Sequence, residues 1–241
     1  MRLRTIIYVI LLSLGATQLK AQQSETYQYS TEFIWGFNKN TTGGLIGGVV
    51  LRTSRKVADR FYESVGIEMV NIKHPREMRW NSVNTGNFFI YGKLNYLYAI
   101  RAQYGREYIL FNKAADKGVE IKANAAAGPS FGLLNPYYVE VAFDPYGGES
   151  YKVPYGPSIP YSSIRGAGSL FQGLSDTKMK FGANIKASLS FELGTLKSHV
   201  TGFEAGFLVD GYLGEIDMMV NAENKSLFPT AFVTLFYGTR K

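Results

Sequence analysis

The chain has 241 residues, with 26 Lys and Arg against 19 Asp and Glu, a formal charge of +7, and no Cys. Without cysteine there is no disulfide, no thiolate metal site and no lipid attachment at an N-terminal Cys. Lys and Arg stand singly among acids rather than in a stripe, so no nucleic-acid surface is expected.

Residues 1–21 read as an export signal: Arg2 and Arg4 make a basic start, Thr5 to Leu14 an apolar stretch, and the small Ala21 before Gln22 suits cleavage. The apolar run is too short to span a bilayer as a helix, which needs roughly 20 residues. Removal of Arg2, Arg4 and Lys20 leaves 23 basic residues against 19 acidic ones, or +4, too little to argue for a charged partner. Residues 22–241 are then expected to form a single domain. Its 17 Tyr, 16 Phe and 26 Gly at 19% charged residues favour aromatic-rich strands over helices.

The mature part holds no 18-residue apolar run, but it alternates apolar and polar with period two in eight segments: 27–38, 44–54, 61–73, 96–112, 119–134, 178–194, 201–212 and 228–239. In 178–194 the apolar side carries Met179, Phe181, Ala183, Ile185, Ala187, Leu189, Phe191 and Leu193, while Lys180, Asn184, Lys186, Ser190 and Glu192 face the other way. Such lengths exceed the usual soluble strand of about 5 or 6 residues and suit tilted strands that cross a bilayer. The even-numbered connections are short, and the odd ones, after a short first turn at 39–43, are longer: 74–95, 135–177 and 213–226. Short turns on one side and long loops on the other are the pattern of outer-membrane barrels. The fold class predicted is all-β: an eight-stranded antiparallel up-and-down transmembrane barrel with long extracellular loops. A soluble lipocalin-like binding barrel is the alternative that alternation also permits.

With apolar faces toward lipid, the lumen receives Glu32, Glu68, Glu107, Glu120, Glu192, Glu204 and Asp210, together with Arg52, Arg101, Lys122, Lys180 and Lys186. Eight strands enclose only enough room for side chains, so these charges should interlock as ion pairs, and a porin is not expected. Gly48, Gly66, Gly128, Gly182 and Gly206 are expected to make room for the long basic side chains.

Catalytic signals are thin. His74, with Glu77 near it, begins the second long connection, and His199 falls in a short turn; there is no Gly-x-Ser-x-Gly elbow. No His pair or Asp-rich calcium loop suggests a metal, and 43–48 lacks the Lys and Ser/Thr of a phosphate loop, so no cofactor is expected. The protein is expected not to be an enzyme. The alternative is an outer-leaflet lipid-modifying activity of the lipid A acylhydrolase or acyltransferase kind, which needs His74 near a Ser and an acid. Loop 135–177 is rich in proline and holds Tyr137, Tyr138, Tyr146, Tyr151, Tyr155 and Tyr161, then Leu170, Phe171 and Leu174 in a stretch expected to form a short helix. Tyr137, Tyr138, Tyr146, Tyr151, Tyr155, Tyr161 and Phe171 are candidate contacts for a protein partner, because tyrosine makes low-entropy contact surfaces. A seal over the barrel mouth is the competing role.

The run Tyr104, Gly105, Arg106, then Gly118, Val119, Glu120, and Gly128, Pro129, Ser130 with Gly132, Leu133, Leu134 and Pro136, and Ala21 before Gln22, resembles the small, mostly uncharacterised outer-membrane β-barrel proteins of the Bacteroidota. The resemblance implies a location in the bacterial outer membrane, contact with its lipid and lipopolysaccharide, and an accessory role in a machine of the β-barrel assembly or type IX secretion kind. It carries over no catalytic residue.

Overall fold

The structure, a computed structural model, describes residues 29–43, 47–112, 118–142, 149–169, 172–193, 198–220 and 222–241. The expected signal peptide and cleavage point lie outside these residues. In chain order the strands are β1 (Thr31–Asn40), β2 (Gly48–Ala58), β3 (Phe61–Ile72), β4 (Arg79–Asn81), β5 (Phe88–Ile90), β6 (Asn95–Phe111), β7 (Glu120–Pro136), β8 (Tyr138–Val141), β9 (Tyr151–Pro154), β10 (Ile164–Ala167), β11 (Lys178–Glu192), β12 (His199–Ile216) and β13 (Lys225–Arg240). Eight of them close an antiparallel ring in the order β1-β13-β12-β11-β7-β6-β3-β2. All eight segments with period-two alternation are in that ring. Closure pairs Glu32 with Arg240 and Asn40 with Phe232, and a closed ring leaves no row of unpaired backbone groups to face hydrocarbon.

The ring is solvated inside out. On β11, Phe181, Ile185 and Leu189 are 55%, 69% and 41% exposed, while Asn184 and Lys186 between them are buried. A soluble lipocalin-like barrel needs those three side chains in a central apolar core, so that alternative is overturned. An outer wall of this composition is stable only against hydrocarbon.

Turns sort by end. Both chain ends of the ring meet at one rim, where the backbone N–H groups of Ser30 and Thr31 donate to the Lys241 carbonyl. The same rim carries the connections at 59–60, 112–119 and 193–198. The opposite rim carries 41–47, 73–94, 137–177 and 217–224. These connections are more ordered than the sequence implies. Segment 73–94 contains the β4–β5 hairpin, and 137–177 folds into a three-stranded sheet in the order β10-β8-β9. The short helix expected near Leu170 is one 3-10 turn over Leu174–Asp176; Leu170 and Phe171 lie outside the described residues.

Two further expectations need correction. The mouth of the lumen, at the long-loop end, is apolar rather than charged: Ile72, Leu97, Leu134, Tyr212, Met218 and Phe228 pack into one buried cluster there. The lumenal glycines answer first to backbone, not to long side chains. A Cβ at Gly48, Gly66, Gly128, Gly182 or Gly206 would meet a carbonyl oxygen of the adjacent strand, because a small ring bends its strands sharply inward. At Gly128 the obstructing atom is the Ala102 oxygen. The β6–β7 pairing skips from Arg101–Ser130 to Tyr104–Ala127 at this point, where Pro129 has no N–H to give. Asn184 covers the gap, donating to the Gly128 and Pro129 carbonyls at 3.0 and 3.2 Å.

Gly128→Val is expected to lower barrel stability by about 1–3 kcal/mol or to prevent closure, because the added methyls have only backbone to displace. A drop in the temperature at which the folded band converts on semi-native gel electrophoresis will show it; Ala127→Val, on the lipid-facing side one residue away, serves as the neutral control.

Candidate functional site

Eleven of the twelve charged residues assigned to the lumen are buried inside the ring and meet opposite charges or polar donors. They fall into two linked groups. Nearer the terminal rim, Glu32 accepts Lys122 Nζ at 3.0 and 2.9 Å and Arg240 Nε at 2.7 Å. Arg240 also pairs with Glu120 at 2.9 Å and with Glu192, and its guanidinium stacks 3.9 Å from the centre of the Tyr29 ring. Arg52 bridges Glu107 at 3.2 Å and Glu204 at 2.8 Å. Lys186 and Ser188 hold the other Glu204 oxygen at 2.9 and 2.6 Å.

Nearer the mouth, Arg101 grips Asp210 through Nε at 3.0 Å and a second nitrogen at 2.5 Å, and reaches Glu68 at 3.0 Å. Asn38 donates to Glu68 at 2.7 Å and Ser130 to Asp210 at 2.9 Å. Ser130 follows the Gly128–Pro129 gap in the β6–β7 ladder and keeps the register of the rest of β7. Each charge sits at 9% exposure or less, so solvent screening is weak and an unmatched partner is costly.

Lys180 is the exception. It is half-buried at the mouth, and its Nζ donates to the Glu215 carbonyl at 3.3 Å. Its register partner is Gly132, at the height where Tyr212 and Leu97 fill the interior, and among the described residues no ion pair to a carboxylate is seen for it. Sequence reasoning also missed Arg240, which pairs with three carboxylates, as many as Lys122 does. Its parity with Thr234, Phe236 and Gly238 marks it as inward-facing, but the alternating segment 228–239 stops one residue short of it. A cavity of about 10 Å³ beside Arg52, Ser64, Gln103, Asn124 and Lys186 has room for about one water molecule. Among the described residues no group of three or more His, Asp or Glu is arranged to hold a metal ion.

Over the mouth, the long connections build a cap. Phe89, Tyr137, Val139, Val141, Tyr155 and Ile164 form its buried core. Tyr137 and Tyr155 are therefore spent on the cap's interior, and the expectation that they touch a partner is corrected. Tyr137 OH accepts the Ile90 N–H at 2.9 Å, tying β5 to the β8 side. Tyr138 donates to Asp176 at 2.9 Å and Tyr161 to the Asn81 carbonyl at 2.7 Å. Tyr151 is exposed. Tyr146 and Phe171 lie outside the described residues. The surface sequence reasoning overlooked is on the β4–β5 hairpin, where Met78, Trp80, Val83, Phe88 and Tyr91 are all exposed. Its only sequence signal is an apolar residue density unusual for a loop.

The hairpin is anchored by Lys93, fully buried, whose Nζ lies 2.6 Å from Glu77 and 4.1 Å from the centre of the Tyr96 ring. Burial pushes the Lys93 ammonium below its ordinary range, and the Glu77 carboxylate opposes that shift. His74 is likewise pushed down by burial. Its Nδ1 accepts the Arg76 backbone N–H at 3.1 Å. Glu77, the acid nearest in sequence, has one oxygen on Lys93 and the other on the His74 backbone N–H at 3.0 Å. His199 pairs with the neighbouring Ser198 hydroxyl at 3.0 Å, at the terminal rim.

No protein-family model matches the chain, and no curated protein matches it. Among solved structures it is similar to Neisserial surface protein A (NspA), with a TM-score of 0.42 and 7% identity over 88% of this chain and 97% of that one. It is also similar to Ail, the attachment invasion locus protein of Yersinia pestis, solved with the heparin analogue sucrose octasulfate, with a TM-score of 0.40 and 8% identity over 89% of this chain and all of that one.

Arg101→Met is expected to destabilise the barrel by about 3–5 kcal/mol, since it strands Asp210 and Glu68 without their cation. Equilibrium urea unfolding in detergent measures this, and adding Glu68→Gln and Asp210→Asn to the same chain should restore most of the loss. Glu77→Ala should act locally, leaving the ring intact but exposing the 73–94 connection to limited proteolysis by trypsin.

Proposed function

We propose that the protein is a structural or accessory barrel of the bacterial outer membrane, not a porin and not an enzyme, whose cap contacts a protein partner in a larger outer-membrane complex. The Bacteroidota-like residue pattern makes a machine of the β-barrel assembly or type IX secretion type the natural setting. The observation that carries the reading is the cap itself. A loop cluster that served only to seal would bury its apolar side chains over the mouth, yet Trp80, Val83, Phe88 and Tyr151 are left outward on a frame fixed by its own core. Exposed apolar side chains on an ordered scaffold favour protein docking. The lumen supports the non-porin part, filled by ion pairs through its middle and by apolar side chains at its mouth. A lipid-modifying enzyme is the weaker reading because Glu77 is already engaged on both oxygens, which leaves His74 without that acid.

Full-length protein extracted from outer membranes in mild detergent should bring down a stoichiometric protein partner. Trp80→Ala combined with Phe88→Ser should lose that partner while the barrel keeps its heat stability. Recovery of the chain in the soluble fraction without detergent, or retention of every partner by the variant, would overturn the proposal. In planar bilayers the wild-type barrel should give no conductance steps.

A further inference from the structure

Near the terminal rim, three charged side chains face outward on adjacent strands of a wall that is otherwise uncharged beside them. Arg55 of β2, Glu63 of β3 and Arg106 of β6 are direct register partners in one row. Glu63 lies between the two arginines, 2.6 Å from one Arg55 nitrogen and 3.7 Å from one Arg106 nitrogen. Tyr104 donates to the same carboxylate at 3.3 Å, and the Arg106 guanidinium lies 5.6 Å from the Tyr104 ring centre. The row on the apolar side holds Val65 and Tyr104, and the row toward the turns holds Phe61 and Tyr108, whose rings pack at 4.7 Å.

Aromatic rings on both sides place the charged row in the interfacial layer, where girdle residues sit. Rows of like orientation are two residues apart, about 7 Å along a strand, which keeps all three rows within or beside that layer. One carboxylate for two guanidiniums leaves one positive charge. Each guanidinium has five N–H donors, most of them unclaimed by Glu63, on side chains that are 72% and 52% exposed. What the layer offers to such donors is the phosphodiester of a lipid headgroup, which guanidinium recognises in bidentate fashion. We infer that Arg55 and Arg106 form a binding site for the phosphate of an anionic phospholipid in the leaflet at the terminal rim, with Glu63 between them offsetting one of their two charges. The site fixes the height of the barrel in the membrane and rests on the membrane reading above.

The test is native mass spectrometry of the full chain in detergent, titrated separately with phosphatidylglycerol, phosphatidylcholine and inorganic phosphate. Phosphatidylglycerol should bind more tightly than phosphatidylcholine, and weaken about fivefold for each of Arg55→Gln and Arg106→Gln. Glu63→Gln should tighten it, since the local charge rises to +2. A merely structural triad predicts the opposite sign for Glu63→Gln, so a loss there overturns the inference. So does equal binding by wild type and Arg55→Gln/Arg106→Gln, or inorganic phosphate competing as well as the lipid, which would make this a free-anion site. Failure of the chain to enter bilayers at all would instead sink the membrane reading, a separate outcome.

Discussion

The structure depends on taking five cations and seven carboxylates out of water together. Arg52, Arg101, Lys122, Lys186 and Arg240 face Glu32, Glu68, Glu107, Glu120, Glu192, Glu204 and Asp210 inside the ring, so the cations are outnumbered and neutral donors carry part of the load. Ser54, Ser130, Ser188 and Asn38 supply it, each donating to a carboxylate. Ion pairs of this kind contribute little net stability beyond what apolar packing would give, but each is expensive to break singly. Their effect is specificity of register: a strand shifted by one residue would send its charges into lipid and its leucines into the lumen.

That constraint fixes the outer wall as well. Once the charges are committed inward, the alternate positions must be apolar, and the belt made by Phe37, Leu51, Ile67, Ile185, Phe207 and Leu235 follows. The departures from this rule are informative because they occur at the edges. Arg55, Glu63 and Arg106 break the apolar wall where headgroups replace acyl chains, and the mouth gives up charge for packing where Tyr212 and Phe228 close the lumen. The cap then adds a second, independent core above the mouth, held to the ring by backbone bonds such as Leu94 to Met218 and Tyr137 to Leu94.

The Gly128–Pro129–Ser130 run shows how local backbone chemistry serves the network. Glycine allows the approach to Ala102, proline interrupts one ladder bond, and the following serine reaches Asp210. In sequence these three residues stand within an alternating segment, and their joint role is visible once Asn184 and Asp210 are seen across the lumen.

Period-two alternation decided the eight strands of the ring and the side each residue faces, because a strand has only two faces and one had to be charged. It therefore placed nearly all of the lumenal charges correctly from sequence. It did not decide who pairs with whom, since partners such as Glu32 and Arg240 are 208 residues apart and meet only through ring closure. The mouth plug, the position of Lys180 above it, and the burial of Tyr137 and Tyr155 were likewise settled by tertiary structure. The connections that build the cap have no repeating pattern to read, and which of their aromatic side chains point inward depends on strands brought together from two separate connections.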